Sequence, residues 1–261
     1  MEVGTVNGDL NVSLIANAGL LMEYCGTKIM IDGIYGSQGH PFSNLSGNQW
    51  SRMLRGKAPY DGVDYLMFTH DHPDHFSREM TLRYLRERRV KGIFLPSEGI
   101  VGSVLEHYLE ENGISCVELS KFTNNAHYGI EPAVSVQALR TRHLDRKFRN
   151  VANYCYLITF GQKNVLITAD VDYVSGNFLR LRDVPLRGVF INPLFFNEMR
   201  GGHFFRGTLE AEEYIIYHLP YEGDDRMGMR RMTERNLEQW NRDPRKGKAT
   251  ALSEPGQRIV L

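Results

Sequence analysis

Residues 69–76 read Thr-His-Asp-His-Pro-Asp-His-Phe, and no other stretch restricts the chain's architecture as much. His70, Asp71, His72, Asp74 and His75 fall within six consecutive positions. Burying such groups without partners costs on the order of several kcal/mol each, so they either stay in water or hold something. The segment Asp64-Tyr-Leu-Met-Phe-Thr69 feeds straight into them, which places the cluster on a turn at the C-terminal end of a short strand. His70 and His72, two positions apart in extended geometry, point the same way, while Asp74 and His75, after Pro73, face a second point. Neutral imidazoles and carboxylates are the usual ligands of zinc and related divalent ions.

A hydrolytic metal site needs further ligands from distant parts of the chain, and three candidates close strands. His143 ends VSVQALRTRH (134–143), Asp170 ends NVLITAD (164–170), and His218 ends EYIIYH (213–218). Ligands gathered on the rim of a sheet are held by the rigid strands behind them. His127 in FTNNAHYG competes with His143 and reads as a loop residue, and Asp172 does not end its strand as Asp170 does.

The remaining pattern alternates β and α signals. Residues 10–32 read as three short strands with turns near Asn17–Gly19 and Cys25–Gly26. Ser77 caps a helix running to about Arg89, and Gly92–Pro96 is a buried strand. Ser97 is expected to cap a second helix, with Ile100, Val101, Val104, Leu105, Tyr108 and Leu109 on its apolar face, His107 facing solvent and Gly113 ending it. NYCYLITF (153–160) and GVFIN (188–192) are strands, 231–240 is a polar helix, and QRIVL is an edge strand. Residues 36–50 read as a long polar loop framing a small substrate, with His40 unassigned. Without linkers or repeats, residues 1–261 predict one α/β domain, a β-sandwich with helices outside.

Composition narrows the partners. Lys+Arg and Asp+Glu balance at 31 each, so no global field calls for nucleic acid or an anionic membrane, and a small-molecule substrate is expected. The RERR run at 86–89 is a solvated helix end. No apolar run is long enough to span a bilayer, and no signal peptide is visible. Cys25, Cys116 and Cys155 form neither a disulfide frame nor a thiolate zinc site. The expected location is the cytoplasm; a homo-oligomer is compatible with the sequence.

The His-x-His-x-Asp-His pattern at 70–75, with the strand-end ligands behind it, resembles the metallo-β-lactamase fold superfamily over roughly Asp9 to Arg226. The resemblance implies a four-layer αββα sandwich in which Asp64 enters the motif, Thr69 precedes it and Asp32 of "IDG" lies beneath the site. It implies one metal held by His70, His72 and His143, and a second by Asp74, His75 and His218, with Asp170 bridging. Zinc suits this set, and manganese, iron or nickel accept it. The chain departs from lactonase-like relatives in having Asn17-Ala18-Gly19 where many carry a histidine after the first strand. His72, where the iron redox branch typically has glutamate, argues for hydrolysis, and no basic exosite arm of the ribonuclease type is present.

Two ions about 3.5–4 Å apart share a water and lower its pKa from about 15.7 toward neutrality. Asp71 or Asp74 would orient that water or take its proton. His203, in the glycine-flanked loop Arg200–Arg206, is the candidate acid for the leaving group, and Arg200 and Arg206 could bind an anionic part of the substrate. Tyr35, Trp50, Phe195, Phe196, Phe204 and Phe205 are candidate pocket walls. The expected activity is binuclear metal-dependent hydrolysis of a small ester, lactone or amide. A phosphodiesterase, or a non-hydrolytic metal-binding member of the fold, is the alternative.

Overall fold

The computed structural model describes residues 8–96, 100–120, 123–172, 176–198 and 208–261. Strands β1 (Asn11–Ala16), β2 (Gly19–Tyr24), β3 (Thr27–Ile31), β4 (Tyr65–Met67), β5 (Gly92–Pro96) and β6 (Ser115–Leu119) follow one another across a first sheet. The second is built from β7 (Asn125–Glu131), β8 (Val134–Thr141), β9 (Asn153–Phe160), β10 (Lys163–Ile167), β11 (Leu186–Ile191), β12 (Ala211–Ile216) and β13 (Lys248–Ala251). The last strand, β14 (Arg258–Val260), returns to the first sheet and pairs antiparallel with β1, with Asn11 opposite Val260. Both sheets are mixed: hairpins give antiparallel pairs, and β3–β4–β5–β6 and β10–β11–β12–β13 run parallel.

Side-chain alternation explains why the sheets stack. Along β9, Tyr154, Tyr156, Ile158 and Phe160 enter the core between the sheets, while Cys155 and Leu157 face the opposite side. Val165 and Ile167 of β10 point inward and Leu166 outward; in β3, Ile29 and Ile31 point inward and Met30 outward. Strands apolar on both faces need a cover on both. Helices α1 (Gly47–Leu54), α2 (Arg78–Glu87) and α3 (Val104–Glu111) supply it for the first sheet, through Met53, Tyr84, Leu85, Leu105 and Leu109. Helices α4 (Pro193–Asn197) and α5 (Met229–Asn241) cover the second, through Phe195, Phe196 and Trp240. The result is the expected αββα sandwich.

Several local expectations change. The helix expected from Ser97 starts at Val104 under a cap from Ser103, and residues 97–99 lie outside the described residues. Val101 and Val104, placed on the apolar stripe, are 74% and 67% exposed. His107 is exposed, as expected. The 36–50 loop is shorter than it reads, because the Ser46/Gln49 capping box starts α1 at Gly47. Strands β6, β7 and β13 carried too weak an alternation to be seen, and His127 lies exposed on β7. Among the described residues, no helix is long and apolar enough to cross a membrane.

Candidate metal centre

The cluster at 70–75 is shaped by a carboxylate below it. Asp32, directly after β3, is fully buried and accepts three hydrogen bonds. Its Oδ1 takes the Thr69 amide at 2.8 Å, and its Oδ2 takes the Thr69 hydroxyl at 2.7 Å and the His75 Nδ1–H at 2.9 Å. A Cβ on Gly33 would lie 2.7 Å from Ile15 Cδ1, so the chain runs close against that side chain as it leaves β3. The turn closes on itself as the amides of His75 and Phe76 both bond to the His72 carbonyl. It is tied to the second sheet by the Tyr154 amide on the Thr69 carbonyl at 2.9 Å and the Tyr156 hydroxyl on the Phe68 carbonyl at 2.6 Å.

The second sheet brings its ligand candidates to the same rim. His143 forms an isolated bridge with Val171, and the Leu144 amide donates to the Asp170 carbonyl at 2.7 Å, so these two strand ends are locked side by side. Asn192, at the end of β11, donates from Nδ2 to Asp170 Oδ1 at 2.6 Å while its Oδ1 caps α4 at the Leu194 amide. His218 follows β12 by two residues with a left-handed φ of 60°. Asp32 (48°) and Ala169 (51°) share that sparsely populated backbone, as does Asn17 (48°), whose Nδ2 donates to the Asp74 carbonyl at 3.1 Å. Left-handed backbone outside glycine is uncommon and concentrates at sites that need it.

Three groups of ligand atoms result, each within 4.8 Å: His70, His72 and His143; Asp74, His75 and His218; and His70, His75 and Asp170. In the first, His70 Nε2 and His72 Nδ1 are 3.0 Å apart. In the second, Asp74 Oδ2 lies 3.4 Å from both His75 Nε2 and His218 Nε2, which are 3.1 Å from each other. Asp170 stands between, its Oδ2 3.7 Å from His143 Nε2 and from His75 Nε2, its Oδ1 3.6 Å from His218 Nε2. Two nitrogens each about 2.0–2.1 Å from one tetrahedral zinc lie about 3.3–3.4 Å apart, so these spacings approximate the edges of coordination polyhedra. His143 Nε2 is buried without a hydrogen-bond partner, a state that a ligand bond would relieve. One feature opposes it: His143 Nδ1 accepts the Asp145 amide at 3.0 Å, which leaves the ring proton on Nε2 until the tautomer switches. Overall the donor set fits two divalent ions.

Burial first, then the neighbouring imidazoles, holds His70 well below its ordinary value; the same causes bring His72 down to about 4. His143 is lowered by burial. These three rings are neutral at pH 7, as metal ligands must be. His75 differs. Burial opposes its charge, yet the Asp74 and Asp32 carboxylates outweigh burial and hold it well above the usual histidine range. Burial likewise opposes ionisation of Asp74 and Asp170, but the surrounding imidazoles keep both carboxyls far below the usual range.

Other sequence-derived candidates fall elsewhere. Asp71 is turned to Arg78, whose Nη2 lies 2.8 Å from its Oδ2, and it joins none of the three groups. Asp64 sits at the far end of β4, bonded to the Lys28 amide and 3.1 Å from Lys91. His203, Arg200, Arg206, Phe204 and Phe205 lie outside the described residues. Tyr35, Phe195 and Phe196 are core residues, and Trp50 is half-buried against the core. The sequence reading missed Asn17, Asn192, Phe42 and Phe148. Asn192 alone gave a signal, an asparagine between an apolar strand and a proline, the pattern of a helix cap.

Comparison with known proteins agrees with this geometry. Residues 27–213 match the family model described as "Beta-lactamase superfamily domain". The chain is 26% identical over 183 residues to the 4-amino-L-phenylalanyl-[CmlP-peptidyl-carrier-protein] 3-hydroxylase of Streptomyces venezuelae, covering 68% of this chain and 32% of that protein. The solved structure of CmlA, a diiron beta-hydroxylase from Streptomyces venezuelae, superposes with a TM-score of 0.60 at 20% identity, over 98% of this chain and 54% of that one. Igni18, a metallo hydrolase from the archaeon Ignicoccus hospitalis, superposes with a TM-score of 0.64 at 12% identity, over 97% and 98% of the two chains. The chain thus spans about a third of the curated relative and about half of the solved hydroxylase chain. Since the family model takes in most of the sequence, including the whole 70–75 cluster, His143 and Asp170, the chain belongs to the β-lactamase superfamily, in its metallo-β-lactamase-fold form.

Proposed function

We propose that the chain is a binuclear metal-dependent hydrolase acting on a small ester, lactone or amide. The observation that carries this reading is the position of Asp170, whose two oxygens reach His143 of one half-site and His218 of the other. Two divalent ions held there, zinc first with manganese or iron as alternatives, would supply Lewis acidity and a nucleophile at neutral pH. The chain's own residues do the rest. Asn192 fixes the Asp170 carboxylate, and Asp32 fixes the His75 ring so that Nε2 faces the site. Asp74 is the group favoured to take the water's proton, because Asp71 is engaged with Arg78. His203 remains the proposed leaving-group acid. The substrate is a small molecule rather than nucleic acid or membrane, and the chain is cytoplasmic in this reading.

A second reading has its own support: the 26% identity to a hydroxylase over 183 residues favours oxygen chemistry on two irons, despite His72. Elemental mass spectrometry on untagged protein tests the common part, with close to two ions per chain expected and none overturning both readings. Turnover of lactones, thioesters and bis-p-nitrophenyl phosphate then separates ester-type hydrolysis from phosphodiester cleavage. Oxygen consumption by the reduced iron form, with no hydrolysis on any panel member, would overturn the hydrolase reading in favour of the second.

A further inference from the structure

Two phenylalanines stand at the rim, one against each half-site. Phe148 is 36% exposed, and its ring centroid lies 4.4 Å from that of His72 and 5.3 Å from that of His143. Phe42 is 39% exposed and lies 5.0 Å from His218, edge to face. Large apolar side chains at a polar rim leave water only if something apolar covers them. Neither ring is loosely held. His40 braces Phe42, bonding to the Gly36 carbonyl through Nε2 at 2.8 Å and accepting the Phe42 amide on Nδ1 at 3.2 Å. Both bonds are satisfied by one neutral tautomer. The same loop is pinned further on, where the Tyr35 hydroxyl bonds to the Ser43 carbonyl and the Tyr221 amide to the Ser43 hydroxyl. Phe148 ends a turn capped by Asp145, whose Oδ1 accepts the Lys147 amide at 3.0 Å.

The two lips differ in charge. Residues 36–46 contain no lysine, arginine, aspartate or glutamate. Residues 145–149, Asp-Arg-Lys-Phe-Arg, are all exposed and carry three cations against one carboxylate. That carboxylate is 3.3 Å from Lys147, leaving Arg146 and Arg149 without an ion-pair partner among the described residues. Lys147 Nζ lies 4.8 Å from the Phe148 ring centroid.

We infer that the site selects a substrate with an aromatic or similarly flat apolar group seated between Phe42 and Phe148, and an anionic carboxylate or phosphate toward Arg146 and Arg149. This deepens the metal-site reading and rests on it, but not on which reaction follows. The test is binding, by calorimetry on chain loaded with two equivalents of zinc, of three chelating probes: acetohydroxamate, benzohydroxamate and 4-carboxybenzohydroxamate. Benzohydroxamate is expected to bind at least about tenfold more tightly than acetohydroxamate, and Phe42→Ala or Phe148→Ala to shrink that ratio by about 2–10-fold each. The carboxylated probe is expected to gain a further few-fold, about 2–5, that the R146Q/R149Q double variant removes and added salt weakens. Metal content is measured in every variant and is expected to stay at two ions. A ratio within about twofold of unity, or one that the alanine variants leave unchanged, overturns the inference while leaving the metal centre intact. Selective binding without hydrolysis supports the inference and removes only the hydrolase reading. A chain that takes up no zinc removes both.

Discussion

His75 gives its Nδ1 proton to the Asp32 carboxylate across 2.9 Å, with both side chains fully buried. That bond fixes which imidazole nitrogen faces Asp74, Asp170 and His218. A carboxylate behind a ligating histidine sets its tautomer and raises its basicity, and losing such a partner typically costs about 10–100-fold in metal affinity or activity. Asp32→Asn should therefore weaken the second half-site by about that factor. Calorimetric zinc titration checks this: two steps of separated affinity are expected, with the first step, on His70, His72 and His143, unchanged. A uniform loss at both steps would mean that Asp32 supports the loop as a whole.

Asp170 lies between the two proposed half-sites, and Asn192 holds its carboxylate at 2.6 Å. Asp170→Ala and His72→Ala should each lower bound metal and turnover together. Asn192→Ala should retain more metal while losing at least about tenfold in kcat, because a misdirected bridging carboxylate still ligates. His107→Ala, on the exposed face of α3, should change neither. Elemental analysis alongside kinetics decides, and full activity without Asp170 would refute its bridging role.

The metal-free chain should weaken as pH falls. An unfolded histidine takes its proton near 6.5, whereas His72 resists until about 4, and burial holds His70 and His143 down as well. Between those values the unfolded chain binds more protons, so stability rises with pH across the window and is lost on acidification. His75 has the opposite sign: its raised value adds stability in full below 6.5, and that contribution fades only as pH climbs through its folded value. Urea midpoints in chelator at pH 7 and pH 5 measure the balance. A midpoint no lower at pH 5 would show that the three neutral rings are not buried as described.

Metal should also stabilise. Ligand present at 100–1,000 times its dissociation constant adds about 2.7–4.1 kcal/mol to folding. For a chain of this size that is a rise of roughly 5–15 °C in Tm. Scanning calorimetry with zinc and after chelation gives the difference directly; identical transitions would argue that no metal is held in the native state.

The architecture, and the placing of the candidate ligands on one rim, were legible for one physical reason: both are written in strand ends. Alternating apolar residues in 10–32, 153–160 and 164–170 mark strands, and a histidine or aspartate closing such a run has to lie on the rim. What supports those ligands was less legible. Asn17 reaches Asp74 from 57 positions away, and Asn192 reaches Asp170 through a side chain whose local pattern advertises only a helix cap. Phe42 and Phe148 sit in segments without periodicity, where nothing local distinguishes a rim residue from a buried one. The buried aromatics Tyr35, Phe195 and Phe196 looked equally eligible for that reason. Weakly alternating strands such as β7, exposed at a sheet edge, escape notice because sheet pairing rather than burial defines them.

The left-handed residues at the rim have a thermodynamic consequence. Outside glycine this backbone costs roughly 1–2 kcal/mol per residue, less for asparagine and aspartate. Asn17, Asp32, Ala169 and His218 hold it within one small region, at the ends of strands from both sheets. The rim is thus wound like a spring against the sandwich behind it, and bound ions would act as the catch. If such ions were removed, the strain held in this backbone would be released at the proposed site first, against strands that are themselves unstrained.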